Sequence, residues 1–192
     1  MRIAAALSGL IALSAVPAIA QMGNPGGMTP GTVESAPGTP APGQTNNTDR
    51  LFARLAAAGG LAEVDFGTLA GKKAQGDARD FARRMVDDHS RANKQLTDLA
   101  RQAGIPLPTE LDPDHRAARA NLDKAERAQF DTDYMSSQVQ DHIKTVQLLK
   151  WEINSGQDAD LQHFASAQLP IVLDHLRMAQ DLLIQLRSRT AR

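Results

Sequence analysis

The sequence predicts an all-α protein: an antiparallel four-helix bundle with a short extra helix between the second and third long helices. Three observations carry that reading. Four long stretches repeat apolar residues at helical spacing. Glycine or proline signals close the connections between them. Aromatic residues are only 4 % of the chain and alanine is abundant, a composition suited to closely packed helices. Short turns between consecutive long helices make neighbours antiparallel.

The first long helix is expected over Asp49–Ala74, with Leu51, Leu55, Ala62, Phe66 and Leu69 on one face. Gly76-Asp77 stops it and caps the next. The second runs over Ala78–Ala103, with Phe81, Met85, Ala92, Leu96, Leu99 and Ala103 inward. Gly104 ends it, and Ile105-Pro106-Leu107-Pro108 prevents continuation. Asp112-Pro113 is an N-cap followed by proline at the first helical position, which starts a short helix through Leu122. The third long helix spans Ala125–Asn154, with Tyr134 in the core and Trp151 on the outer face. Ser155-Gly156 ends it. The fourth spans Asp158–Arg187 and is expected to kink at Pro170, where a backbone donor is lost.

The ends of the chain read differently. Residues 1–20 have the form of a cleaved signal peptide: Arg2, an apolar run from Ile3 to Val16, and Ala18-Ile19-Ala20 before Gln21. That run is too short to span a membrane, which takes about 20 apolar residues. Residues 21–48 are rich in Gly, Pro, Thr, Asn and Gln and read as a disordered linker. The bundle domain occupies 49–192, and the protein is expected in the periplasm or secreted.

Composition excludes several functions. There is no cysteine, so disulfides, thiolate metal sites and cysteine nucleophiles are absent. A formal net charge of −1 offers no basic footprint for nucleic acid. No stretch after the signal peptide crosses a membrane. No phosphate-binding glycine loop or nucleophile motif is present.

The informative residues are polar ones on apolar faces. At 100° per residue, His89, His142 and His175 each fall within the apolar arc of a different helix. Glu63 flanks the stripe of the first helix, and Gln138, Gln168 and Asp131 also point inward. Glu63 and His89 both lie roughly 18 Å from the turn between their helices, so they are level. His175 lies roughly 7 Å further from its turn than His142 does. Three inward imidazoles and a carboxylate on four helices suit one transition metal, namely zinc, iron or copper. The proposed ligands are Glu63, His89, His142 and His175, with Asp131 as a further carboxylate. The dipeptide Asp-His occurs at 88–89, 141–142 and 174–175. Its aspartates are able to orient a ring on a neighbouring helix. Pairing with Arg83, Arg84, Arg91 and Arg177 is the more ordinary expectation.

These residues carry a resemblance. Gly60-Leu61-Ala62-Glu63-Val64, Phe81-Ala82-Arg83-Arg84-Met85-Val86-Asp87-Asp88-His89, Phe130-Asp131-Thr132-Asp133-Tyr134, His142, and Leu169-Pro170 with His175 resemble the DUF4142 family of exported bacterial proteins. The resemblance implies a ferritin-like four-helix bundle in the cell envelope and supplies no activity. Di-iron ferritin-like sites use a Glu-x-x-His pair on two helices. Val86 and Val172 stand where those glutamates would be, which argues for one metal rather than a di-iron centre. The alternatives are a purely structural or stress-related envelope domain without ligand and, last, a ferritin-like oxidoreductase.

Overall fold

The computed structural model describes residues 40–190. The proposed signal peptide, the linker up to residue 39 and the last two residues lie outside the described residues. Five helices form the described chain: α1 (Asn47–Lys73), α2 (Gly76–Gln102), α3 (Pro113–Lys124), α4 (Arg127–Ser155) and α5 (Ala159–Thr190). There is no named strand among these residues; Ala41 and Asp158 make a single isolated bridge. None of the described helices is long and apolar enough to cross a membrane.

α1 starts two residues earlier than its pattern suggests, because Asn46 is the cap. Its side chain accepts from the Asp49 amide at 2.9 Å, and Asp49 accepts from the Asn46 amide at 2.5 Å. This is a capping box with aspartate in the third helical position. The chain before it is also tied down. Ala41 donates to the Gln157 carbonyl at 3.1 Å and its own carbonyl accepts from Ala159 at 3.4 Å. Residues 41–48, assigned to the linker by composition, therefore belong structurally to the domain. Their polar composition hid side chains that bond to backbone.

α2 ends as predicted. Gly104 takes φ +64°, the Ile105 amide donates to the Ala100 carbonyl at 2.8 Å, and the Gly104 amide donates to Arg101 at 3.3 Å. These two bonds form a Schellman closure. Asp112 caps α3 through the His115 amide, with Pro113 in the first turn, also as predicted. α5 starts where the Asp158 carboxylate accepts from the Asp160 amide at 3.0 Å. α5 is continuous across Pro170.

α1 packs mainly along α2 and α4 along α5; α1 also meets α4, and α2 meets α5. α3 lies against α1 and α4. Two apolar clusters result. One contains Phe66, Phe81, Met85, Phe130, Tyr134, Met135 and Leu183. The other contains Phe52, Leu96, Leu149, Leu161, Phe164 and Val172. Residues 89, 138, 142 and 175 fall between these clusters along their helices, Glu63 lies beside Ala62 at the edge of the first cluster, and all five are buried. A polar layer thus divides the core. The inward face of α1 is slightly rotated from the expected one. Leu55 is 48 % exposed, and Phe52, Ala53 and Ala57 are buried in its place. Trp151 is half-buried against the second cluster rather than outward.

Close approach of α1 and α2 depends on Gly67. A β-carbon there would stand 2.9 Å from Val86 Cγ2 and 3.0 Å from the Ala82 carbonyl oxygen. The methyl group of Gly67→Ala overpacks this contact by about 1–3 kcal/mol, against about 1 kcal/mol of improved helix propensity. Its midpoint in urea is expected to fall by the equivalent of about 1 kcal/mol, and an unchanged or higher midpoint would contradict the packing argument.

Candidate metal centre

α2 carries His89, α4 carries His142 and α5 carries His175. Their ring centroids form a nearly equilateral triangle: 5.6 Å from His89 to His142, 5.6 Å from His89 to His175 and 5.5 Å from His142 to His175. One ligand atom from each histidine lies within 4.8 Å of the other two. His142 and His175 are 1 % exposed and His89 is 9 % exposed.

The expected height difference between His142 and His175 is absorbed by side-chain direction. Helical side chains lean toward the N-terminus of their own helix. His142 therefore leans away from the α4–α5 turn, and His175 leans toward it. The two shifts along the helix axes add, and the rings meet although their α-carbons differ in distance from the turn.

Each ring has a buried nitrogen without a hydrogen-bond partner: Nε2 of His89, Nε2 of His142 and Nδ1 of His175. The other nitrogens of two rings are occupied. His142 Nδ1 is 2.9 Å from the Gln138 carbonyl oxygen, which only accepts, so Nδ1 carries the proton. His175 Nε2 lies 2.8 Å from Asp88 Oδ2. Burial depresses the His89 value to about 4, against an opposing pull from Glu63. Burial also depresses His142 to about 4, against the Gln138 carbonyl bond. His175 is lowered by burial as well, against the Asp88 bond. At neutral pH these are uncharged imidazoles, each with a lone pair to offer.

Glu63 is buried beside the triangle but does not belong to it. Its Oε2 accepts from Gln138 Nε2 at 2.8 Å, and its Oε1 lies 3.7 Å from His142 Nδ1. That is the protonated edge of His142, the side away from its free nitrogen. Burial raises the Glu63 carboxyl above its ordinary value, partly offset by His89 and the Gln138 bond. Buried Tyr134 is pushed up by desolvation and by Glu63, and its hydroxyl has no partner. Asp131 is elsewhere. It accepts from the Gln75 amide at 3.4 Å near the start of α2. Eleven residues separate it from His142, about 16 Å along the helix. Helical facing alone placed it inward, and height removes it from the site. Gln168 is half-buried.

The three Asp-His pairs diverge. Asp141 pairs with Lys144 at 3.0 Å, and Asp174 pairs with Arg177 at 2.8 Å and Arg84 at 2.9 Å. Both follow the ordinary expectation. Asp88 pairs with Arg84 and Arg91 and also holds the His175 ring.

A second buried polar group went unread in the sequence. Glu152 and Asp49 are fully buried, and Asp158 is 2 % exposed. Asp49 Oδ1 accepts from the amides of Gln157 at 2.9 Å and Asp158 at 3.1 Å. Neither Glu152 oxygen has a donor. Burial, then the contact with Asp49 and the charges of Asp49 and Asp158, push the Glu152 carboxyl up to about 9. A β-carbon at Gly156 would stand 2.5 Å from Glu152 Oε1, so glycine makes room for this carboxyl.

Comparison with known proteins agrees with the helical fold. The chain is similar to the crystal structure of a DUF305 fragment from Deinococcus radiodurans, with TM-score 0.66 and 13 % sequence identity. The match covers 73 % of this chain and 98 % of that one, and at this identity it speaks for the fold alone. No curated protein matches the chain. The model of the domain of unknown function DUF4142 matches residues 34–182, which include all five candidate ligands. The chain therefore belongs to the DUF4142 family.

Proposed function

We propose that this is an exported cell-envelope protein whose antiparallel four-helix bundle binds one transition metal ion through His89, His142 and His175. The observation that carries the reading is the set of three unpartnered ring nitrogens on three helices, inside one buried triangle. Buried polar atoms are ordinarily hydrogen-bonded, and leaving three in one place is costly. One metal ion satisfies all three. Neutral imidazoles suit zinc, copper and iron. Glu63 and Gln138 then form the polar layer behind His142 rather than coordinating. The bundle arrangement is supported by side-by-side contacts. Asn46 at the start of α1 bonds Ser155 at the end of α4, Glu63 bonds Gln138, and Gln75 bonds Asp131. Val86 and Val172 leave no Glu-x-x-His carboxylate for a di-iron centre.

Elemental analysis of natively purified protein is the direct test. One zinc, copper or iron per chain is expected, and its loss in His89→Ala and in His175→Ala. A metal-free protein that takes up none of the three ions on titration would overturn the reading. Export has its own check: the mature protein recovered from the envelope should begin at Gln21. Recovery only of chain that retains Met1, from the cytoplasm, would refute it.

A further inference from the structure

We propose that Asp88 is a positioning residue that makes His175 a ligand through Nδ1, so that the centre combines the Nδ1 of one histidine with the Nε2 of another. This deepens the metal-binding reading and rests on it. His175 has two edges in different surroundings. Its Nε2 edge meets the Asp88 carboxylate at 2.8 Å, and its Nδ1 has no partner. An ionised carboxylate only accepts, so Nε2 carries the ring proton and Nδ1 carries the lone pair. His142 is held the other way: the Gln138 carbonyl accepts a hydrogen bond from Nδ1–H and leaves Nε2 free.

Chain geometry explains why Asp88 is suited to this. It precedes His89, and adjacent helical residues point about 100° apart. While His89 enters the triangle, Asp88 faces α5 and reaches the ring of His175. One dipeptide thus supplies a ligand and the holder of another ligand. The carboxylate is itself fixed: Arg84 donates to Asp88 Oδ2 at 3.3 Å, and Arg91 donates to Oδ1. Arg84 also donates to Asp174 at 2.9 Å, beside His175 in sequence. An isolated exposed ion pair contributes little to stability. Here, however, the histidine is 1 % exposed, and a ring at a metal site depends on such outer partners for its tautomer and orientation.

The test uses the full chain in metal-free and metal-titrated forms. Long-range nitrogen–proton correlation NMR of the metal-free protein at pH 7 should show His175 protonated on Nε2 and His142 on Nδ1. Asp88→Ala should allow His175 to populate the other tautomer. It should also weaken zinc affinity about 10–100-fold, the usual loss for such partners. Asp88→Asn, which keeps an acceptor oxygen, should recover most of that affinity. Asp131→Ala removes a carboxylate outside the histidine group that touches neither Asp88 nor a ring, and its affinity should equal that of the unaltered chain. A His175 protonated on Nδ1, or Asp88→Ala binding zinc as tightly as the unaltered chain, would overturn the proposal. If the unaltered chain binds no ion, the metal reading falls, and the tautomer spectrum still decides the role of Asp88.

Discussion

Saturating the histidine triangle with zinc is expected to raise the melting temperature by about 5–11 °C. A ligand that binds only the folded chain stabilises it by about 2.7 kcal/mol when present at 100 times its dissociation constant. A domain of this size gains about 2–4 °C per kcal/mol. The shift should vanish in His142→Ala, whose ring is 1 % exposed and occupies one corner of the triangle. It should survive in Asp131→Ala, because that carboxylate bonds the Gln75 amide outside the histidine group. Scanning calorimetry with and without zinc checks both variants. A shift lost in Asp131→Ala but kept in His142→Ala would place the ion elsewhere.

The metal-free chain should be most stable near pH 6.5 and lose stability on both sides, for two separate reasons. On the acid side, His89 and His142 have folded values of about 4, against 6.5 when exposed. Between these values the unfolded chain binds protons that the folded chain refuses. Stability therefore falls as pH drops from 6.5 through 4, by about 3 kcal/mol for each histidine. On the alkaline side, Glu152 ionises near 9 in the folded chain, against 4.5 when exposed. There the folded chain keeps a proton that the unfolded chain has released. Its contribution is fully present below 4.5, declines as pH rises, and is exhausted above 9. Between pH 6.5 and 9 the loss is about 3 kcal/mol. Glu152→Gln cannot ionise and should flatten the alkaline limb and steepen the acid limb between pH 4.5 and 6.5, where the glutamate's decline opposes the histidines' rise. Urea denaturation across pH 4–10 measures both. An alkaline limb unchanged in Glu152→Gln would refute its assignment to this carboxyl.

Much of this molecule is legible as periodicity. Schellman closure at Gly104, the Asp112-Pro113 start and the inward faces of His89, His142 and His175 follow from local rules. Those rules fix direction around a helix axis more firmly than position along it. Asp131 faces inward at the wrong height, and the His142–His175 mismatch disappears once the lean of each side chain is included. Glu63 is level with His89 but lies behind the Nδ1 edge of His142, a distinction finer than helical facing resolves. Glu152 escaped notice because it sits next to Trp151 and shares its stripe with none of the histidines. Only the meeting of the α1 start with the α4–α5 turn buries it. Capping by Asn46 was hidden inside a stretch whose composition resembles a spacer.

The triangle draws its corners unequally from the chain. His89 belongs to the α1–α2 pair, whereas His142 and His175 both belong to the α4–α5 pair. Neither pair can surround an ion before the two halves have docked. An ion that needs the finished structure contributes nothing to the barrier on the way in and must be released or displaced on the way out. Its effect therefore falls on the rate of unfolding and leaves the rate of folding almost unchanged. Lifetime of the folded chain rather than speed of assembly is the property such an ion extends.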